Sequence, residues 1–265
     1  AAARRMGHAR QAQGPLVSAA DGSAAAARLA ERLGWPLLWH GNFGWDSIYA
    51  DLGGPLQDWA QSSLADYRRG QTLLRCPFAL PMPWDVPQQS LGLGASEPRF
   101  QPECIAERLN WRGLRQRSAL LCFGGLGLPL DPALLQSWPD WQFLVVNEAL
   151  AQAANATWLA EDLRPVDVMP LCSVVITKPG YSTFAEALSQ DCGLVVVERS
   201  GFAEAEVLQK GLQQHGFHRL LTRRAFEQGQ WLLDQPLAQP QGLPLPTDGA
   251  ASASEWVFAA LSQSR

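Results

Sequence analysis

The stretch TKPGYSTFAEAL, Thr177 to Leu188, decides the fold. An apolar run, LCSVVI, leads into it from Leu171, and a second, GLVVVE, follows from Gly193. Short apolar runs on either side of a helical pattern read as strand, loop, helix, strand, which is a parallel βαβ unit. In open parallel sheets, ligands bind beyond the carboxyl ends of the strands, which is where Lys178-Pro-Gly180 falls. Pro179 fixes its own backbone, and Gly180 permits a positive φ. Thr183-Phe-Ala-Glu186 fits a capping box, in which Thr183 caps the helix and Glu186 reaches back to the cap amide. The other reading has Glu186 hold a ligand docked at the helix N-terminus, with Lys178 as a cationic contact to its phosphate or else a solvated loop residue.

The alternation extends outward through the second half. ALLCF (119–123) reads as a strand, and the glycine-rich loop Gly124 to Leu130 follows it. Those glycines let a backbone approach a ligand and point amides at an anion, or they only make a tight turn. The loop is neither a P-loop nor a G-x-G-x-x-G fingerprint. Asp131-Pro132 reads as a helix start. Strands are expected at 142–146, 174–177 and 194–197, with helices at 183–190 and 203–214. In the first half, SAAAARLAERL (23–33) reads as a helix closed by Gly34. Pro36 to Trp39 and Thr72 to Cys76 read as strands, and QDWAQSSLADYRR as a helix. Residues 77–102, rich in Pro, Gly and Ser, read as a linker with little structure. The tail, 236–253, reads as a connection, with a final helix at 254–262.

Composition narrows the classes. The chain has 265 residues, 47% hydrophobic and 17% charged, with a net charge of −4. That fits one large or two ordinary globular domains and gives no basic face for nucleic acid. Five scattered cysteines without a C-x-x-C pair read as reduced, packed thiols of a cytoplasmic protein. No apolar run reaches membrane-spanning length, which leaves only peripheral membrane contact open. Four histidines without H-E-x-x-H give no zinc site, and no G-x-S-x-G elbow is present. The eleven tryptophans read mostly as core.

ITKPGYSTFAEAL resembles the nucleotide-sugar signature of GT-B glycosyltransferases, G-x-x-T-x-x-E-A-L, most nearly in its family-28-like form. That group includes the transferase adding N-acetylglucosamine to lipid-linked muramyl peptide and the glycosyltransferase-like domain of plant arabinokinase. The resemblance implies that Gly124 and Gly125 lie near donor phosphates and that Glu186 binds ribose. Lys178, Gly180, Tyr181, Ser182 and Thr183 would complete the donor loop. SGFAEAEVL resembles the next family segment and implies Phe202 and Glu204 at the sugar pocket. The other reading of Glu204 is a first-turn acid facing the helix dipole. GNFGWDSIY resembles the group's N-F-x-W-D-x-I-Y segment. It puts Asn42 and Asp46, with His40 beside them, on the acceptor side, or else makes an aromatic packing motif. Three features depart from the family. The opening strand and glycine loop precede the point where this chain begins. The S-D-x-x-P segment is reduced to ADGSA (20–24), and Ser173 stands where an aspartate is usual.

The expectation is therefore α/β, with two Rossmann-like domains facing a cleft (GT-B) and the N-terminal one incomplete. The domains would be 1–100, a partial acceptor-side domain and linker; 101–238, the nucleotide-sugar domain; and 239–265, a tail whose helix returns to the first domain. The function implied is glycosyl transfer from a nucleotide diphosphate sugar, a UDP-sugar first, to an unknown acceptor. No cofactor or metal is expected, and the general base is unassigned. The rivals are a sugar-nucleotide epimerase of the same fold and a non-catalytic nucleotide-binding homologue.

Overall fold

The computed structural model describes residues 18–21, 23–124 and 130–263. The chain forms two compact units, one running to Leu93 and resuming at Asp248, the other spanning Gly94–Thr247. The sequence reading puts the divisions near residues 100 and 238.

In the first unit, β1 (Ser18–Asp21), β2 (Leu37–Gly41), β3 (Thr72–Arg75) and β4 (Gln88–Ser90) form a parallel sheet in that order. Helices α1 (Ala25–Leu33), α2 (Trp45–Leu52) and α3 (Gln57–Tyr67) connect the strands. In α1, Ala27 and Ala30 face the core while Arg28, Glu31 and Arg32 face solvent. Gly34 closes it in the left-handed region, φ 64°, donating to the carbonyls of Ala30 and Glu31. The core is aromatic. Tyr67 and Trp84 stack at 4.0 Å, and Trp39 meets Tyr67 edge-on at 5.0 Å. The Trp39 indole donates to the Tyr67 carbonyl at 2.7 Å.

Residues 77–102 are not the unstructured linker that their composition suggests. Phe78, Leu80, Met82 and Trp84 are buried one residue in two, and β4 adds a strand. Pro81 and Pro83 between those apolar residues bar a helix, and a period-two pattern fills the core without helix or ladder.

In the second unit the helices are α4 (Pro102–Arg108), α5 (Ala133–Gln136), α6 (Pro165–Val168), α7 (Tyr181–Ser189), α8 (Ala205–His215) and α9 (Arg223–Glu227). The strands are β5 (Ser118–Leu121), β6 (Gln142–Val145), β7 (Ala156–Trp158), β8 (Val174–Thr177), β9 (Gly193–Val197) and β10 (His218–Leu221). They form one parallel sheet, order β10-β9-β8-β5-β6-β7. Strands β5, β8 and β9 are buried at every position, as a parallel sheet covered on both faces requires. The short β7 and β10 carry too few apolar residues to be read from the sequence. The final helix, α10 (Gly249–Gln263), begins earlier than expected and belongs to the first unit.

Candidate functional site

The strand order of the second unit reverses between β5 and β8. In a doubly wound sheet, that switch point is where a crevice opens beyond the carboxyl ends of the strands. Two predicted loops leave the sheet there. Gly124, just past β5, has φ 66°, a backbone only glycine adopts freely, and it is exposed. Gly125 lies outside the described residues. Lys178-Pro-Gly180 leaves β8 and enters α7.

The geometry of α7 overturns two expectations. Its N-cap is Gly180 in an extended conformation, φ −169°, so no positive φ is needed there. Thr183 is the third residue inside the helix, no side chain caps the end, and Glu186 sits a turn too late for a capping box. The pattern T-x-x-E was a coincidence of spacing, because the helix starts two residues before Thr183. Phe184, Ala185 and Ala187 carry the buried face. A Cβ at Gly180 would meet nothing nearer than the Lys178 carbonyl, 4.0 Å away. The first amides of an uncapped helix point into that space and favour an anion.

Glu186 is half-buried, and its carboxyl is held by the Ser96 side chain. Burial pushes its pKa up, while the Ser96 hydrogen bond and the Arg164 charge pull the other way. Ser96 rides on a segment anchored at both ends. The Gly94 amide donates to Tyr181 Oη at 3.2 Å. Arg99 binds Asp167 through its amide (2.9 Å), Nε (3.1 Å) and Nη2 (2.6 Å). Arg164 adds its own amide and Nη2, both at 2.9 Å. Asp167 is fully buried. Burial alone would raise its pKa, but the hydrogen bonds from Arg99 and Arg164 hold it far below the usual carboxylate range. Neither Ser96 nor Asp167 was singled out from the sequence. Both contacts to the 94–99 segment cross more than 60 residues, beyond any local pattern.

Burial pushes Lys178 down, and the charge of Arg199 acts in the same direction. Arg199 was also missed. It follows β9 by two residues, and its Cζ lies 3.7 Å from the centre of the Phe202 ring. Glu204 is the buried N-cap of α8, at the positive end of the helix dipole, while Phe202 is half-buried and Ser182 is exposed. Four of the five cysteines are buried as expected, but Cys104 is exposed.

In the first unit the GNFGWDSIY segment runs from the end of β2 into α2. Asp46 is buried and accepts from the Trp84 indole at 3.2 Å, and the Trp45 amide donates to Tyr67 Oη at 3.1 Å. Burial pushes the Asp46 pKa up, moderated by the Trp84 hydrogen bond. Asn42 is buried too, and half-buried His40 lies 3.4 Å from Cys76 Sγ. Trp45 and Trp59 are exposed, exceptions to the mostly-core reading of the tryptophans. Among the described residues, no three His, Cys, Asp or Glu side chains are grouped to hold a metal ion. None of the described helices is long and apolar enough to cross a membrane.

No family model matches the chain. Over 204 residues, 72% of this chain and 19% of the relative, it is 31% identical to an L-arabinokinase of Arabidopsis thaliana. It thus spans about a fifth of that relative's length. Among solved structures it is similar to a UDP-glucosyltransferase from Polygonum tinctorium, with TM-score 0.56 and 12% identity, covering 94% of this chain and 69% of that one. For spinosyn forosaminyltransferase the TM-score is 0.57, with 17% identity over 98% and 74% of the two chains. For a UDP-glucose:anthocyanidin 3-O-glucosyltransferase in complex with UDP the score is 0.58, with 12% identity over 94% and 74%. With two parallel α/β units, the second in the doubly wound order, the chain has the GT-B glycosyltransferase-like fold.

Proposed function

We propose that the protein is a glycosyltransferase whose second unit binds the donor, a nucleotide diphosphate sugar with uridine as its base. The observation that carries this reading is the open N-terminus of α7 at the β5/β8 switch point, with Lys178 before it and half-buried Glu186 one turn inside. The names of the similar structures, several of them UDP-sugar transferases or complexes with UDP, support uridine. The donor set is Gly124, Gly125, Lys178, Gly180, Tyr181, Ser182, Thr183, Glu186, Phe202 and Glu204. His40, Asn42 and Asp46 remain the acceptor-side candidates, Asp46 acting through packing.

Glycosyl transfer makes the anomeric centre oxocarbenium-like while the diphosphate departs with negative charge. Fixed amide dipoles and cations aimed at that charge stabilise it without reorganising. The α7 amides and Lys178 supply such groups, and the Gly180 surface leaves them room. Glu186 fixes the ribose, which sets the distance from base to diphosphate. The acceptor's proton is assigned to no residue.

Thermal unfolding with UDP, ADP and GDP tests the reading. UDP at a hundred times its dissociation constant should stabilise the second unit by about 2.7 kcal/mol, and the other two by less. Equal shifts with all three, or none with any, would overturn the uridine site.

A further inference from the structure

We propose that Arg199 is a direct contact to the donor's diphosphate, bracketing it opposite Lys178, and that Phe202 is the platform that orients Arg199. This rests on the donor-site reading above.

The sheet makes the two cations neighbours. Strands β8 and β9 pair in parallel, with Thr177 opposite Val196. Lys178 is the first residue past β8, and Arg199 the second past β9, so both leave the same edge of the sheet. Among the described residues neither has a salt-bridge partner. The adjacent Glu198 carboxylate is engaged elsewhere, accepting from the Arg223 amide at 2.8 Å. Both side chains are half-buried. Two partly desolvated cations in each other's field repel at a cost that a bound dianion removes.

Arg199 is also fixed in orientation. Stacking on Phe202 at 3.7 Å satisfies one face of its guanidinium plane, and among the described residues no hydrogen bond engages its N–H edge. That edge is the fork that binds two oxygens of a phosphate at once, which a lysine cannot do. Arg199 covers one face of the Phe202 ring and closes that face to the sugar. A carboxylate on an acidic donor sugar offers the same two-oxygen acceptor. The diphosphate is favoured because the Arg199 charge is felt at Lys178, on the loop that enters α7.

The test is calorimetric titration of the full chain with UDP, UMP, UDP-glucose and UDP-glucuronate, for wild type, Arg199→Ala, Arg199→Lys, Phe202→Leu and the double variant Arg199→Ala/Phe202→Leu. Arg199→Ala should weaken UDP about tenfold or more, UMP by much less, and leave the melting temperature unchanged. Arg199→Lys should recover part of the loss. Phe202→Leu should weaken UDP less than Arg199→Ala, and the double variant should bind no worse than Arg199→Ala alone. Unchanged UDP affinity in Arg199→Ala overturns the proposal, as does an equal loss for UDP and UMP. A loss seen only with UDP-glucuronate moves Arg199 to the sugar and overturns it too. A double variant weaker than Arg199→Ala removes Phe202 from the positioning role. If the wild type binds no nucleotide at all, the donor-site reading itself fails, and this proposal fails with it.

Discussion

Two segments of this chain share one pattern and use it in opposite ways. GNFGWDSIY and KPGYSTFAEAL each run from a parallel strand through a glycine into a helix bearing an early acid. At Gly44 an added Cβ would lie 2.2 Å from Asp46 Oδ1 and 2.5 Å from Trp84 Cζ2. At Gly180 it would meet open space. Asp46 is locked under an indole, while Glu186 lies half-open beneath a serine. The lesson is that a glycine before a helix says only that something comes close. Whether that something is the protein's own core or a ligand is decided by side chains distant in sequence, here Trp84 and Ser96.

The largest expected effect is on the closed segment. Trp84→Ala removes the ring that stacks on Tyr67 and binds Asp46, so the first unit should lose roughly 3–5 kcal/mol. UDP affinity of the second unit should be unchanged. Calorimetric melting with parallel UDP titration reads both, and a joint loss would break the contrast. Next is Glu186→Gln. If its charged oxygens grip the ribose, UDP affinity should fall roughly ten- to a hundredfold, for about 1.5–3 kcal/mol, with the melting temperature held. Equal dissociation constants would leave Glu186 with no ligand role.

The glycines give the third test. Gly44→Ala should destabilise the first unit by about 1–3 kcal/mol through overpacking. Gly180→Ala should stay within roughly 0.5 kcal/mol in denaturant unfolding yet weaken UDP. Equal destabilisation by the two would erase the difference. The smallest effect is on pH. Burial raises the Asp46 pKa in the fold, so its favourable contribution is full below its unfolded value. That contribution is lost as pH rises through the higher folded value. Melting of Asp46→Asn between pH 4 and 7 should lack that slope, and an unchanged slope would assign it to other groups.

What could be read from the sequence was what repeats locally. The apolar runs of β5, β8 and β9 and the loop before α7 were legible because a doubly covered parallel strand has no polar positions to confuse it. The helix start was misplaced because Gly180 caps without a side chain, while Thr183 and Glu186 offered a false cap. The 77–102 segment was misread because proline hid an alternating buried pattern. Arg199 left a faint trace, an arginine three residues before an aromatic at a strand's carboxyl end. Asp167 and Ser96 left none, since their roles exist only once residues 94–99 cross over α6 and α7.

The first unit is closed by chain from both ends. The Gly249 amide donates to the Leu93 carbonyl at 3.1 Å, and a Cβ on Gly249 would come within 2.4 Å of the Gly92 carbonyl oxygen. During synthesis, therefore, the unit begun first cannot be completed first. The second unit, a single uninterrupted stretch, can fold on the ribosome as soon as β10 and its closing segment emerge. The first unit meanwhile lacks α10 until more than 150 further residues have been made. The late return of the chain at Asp248 thus sets the order in which the two units can be completed.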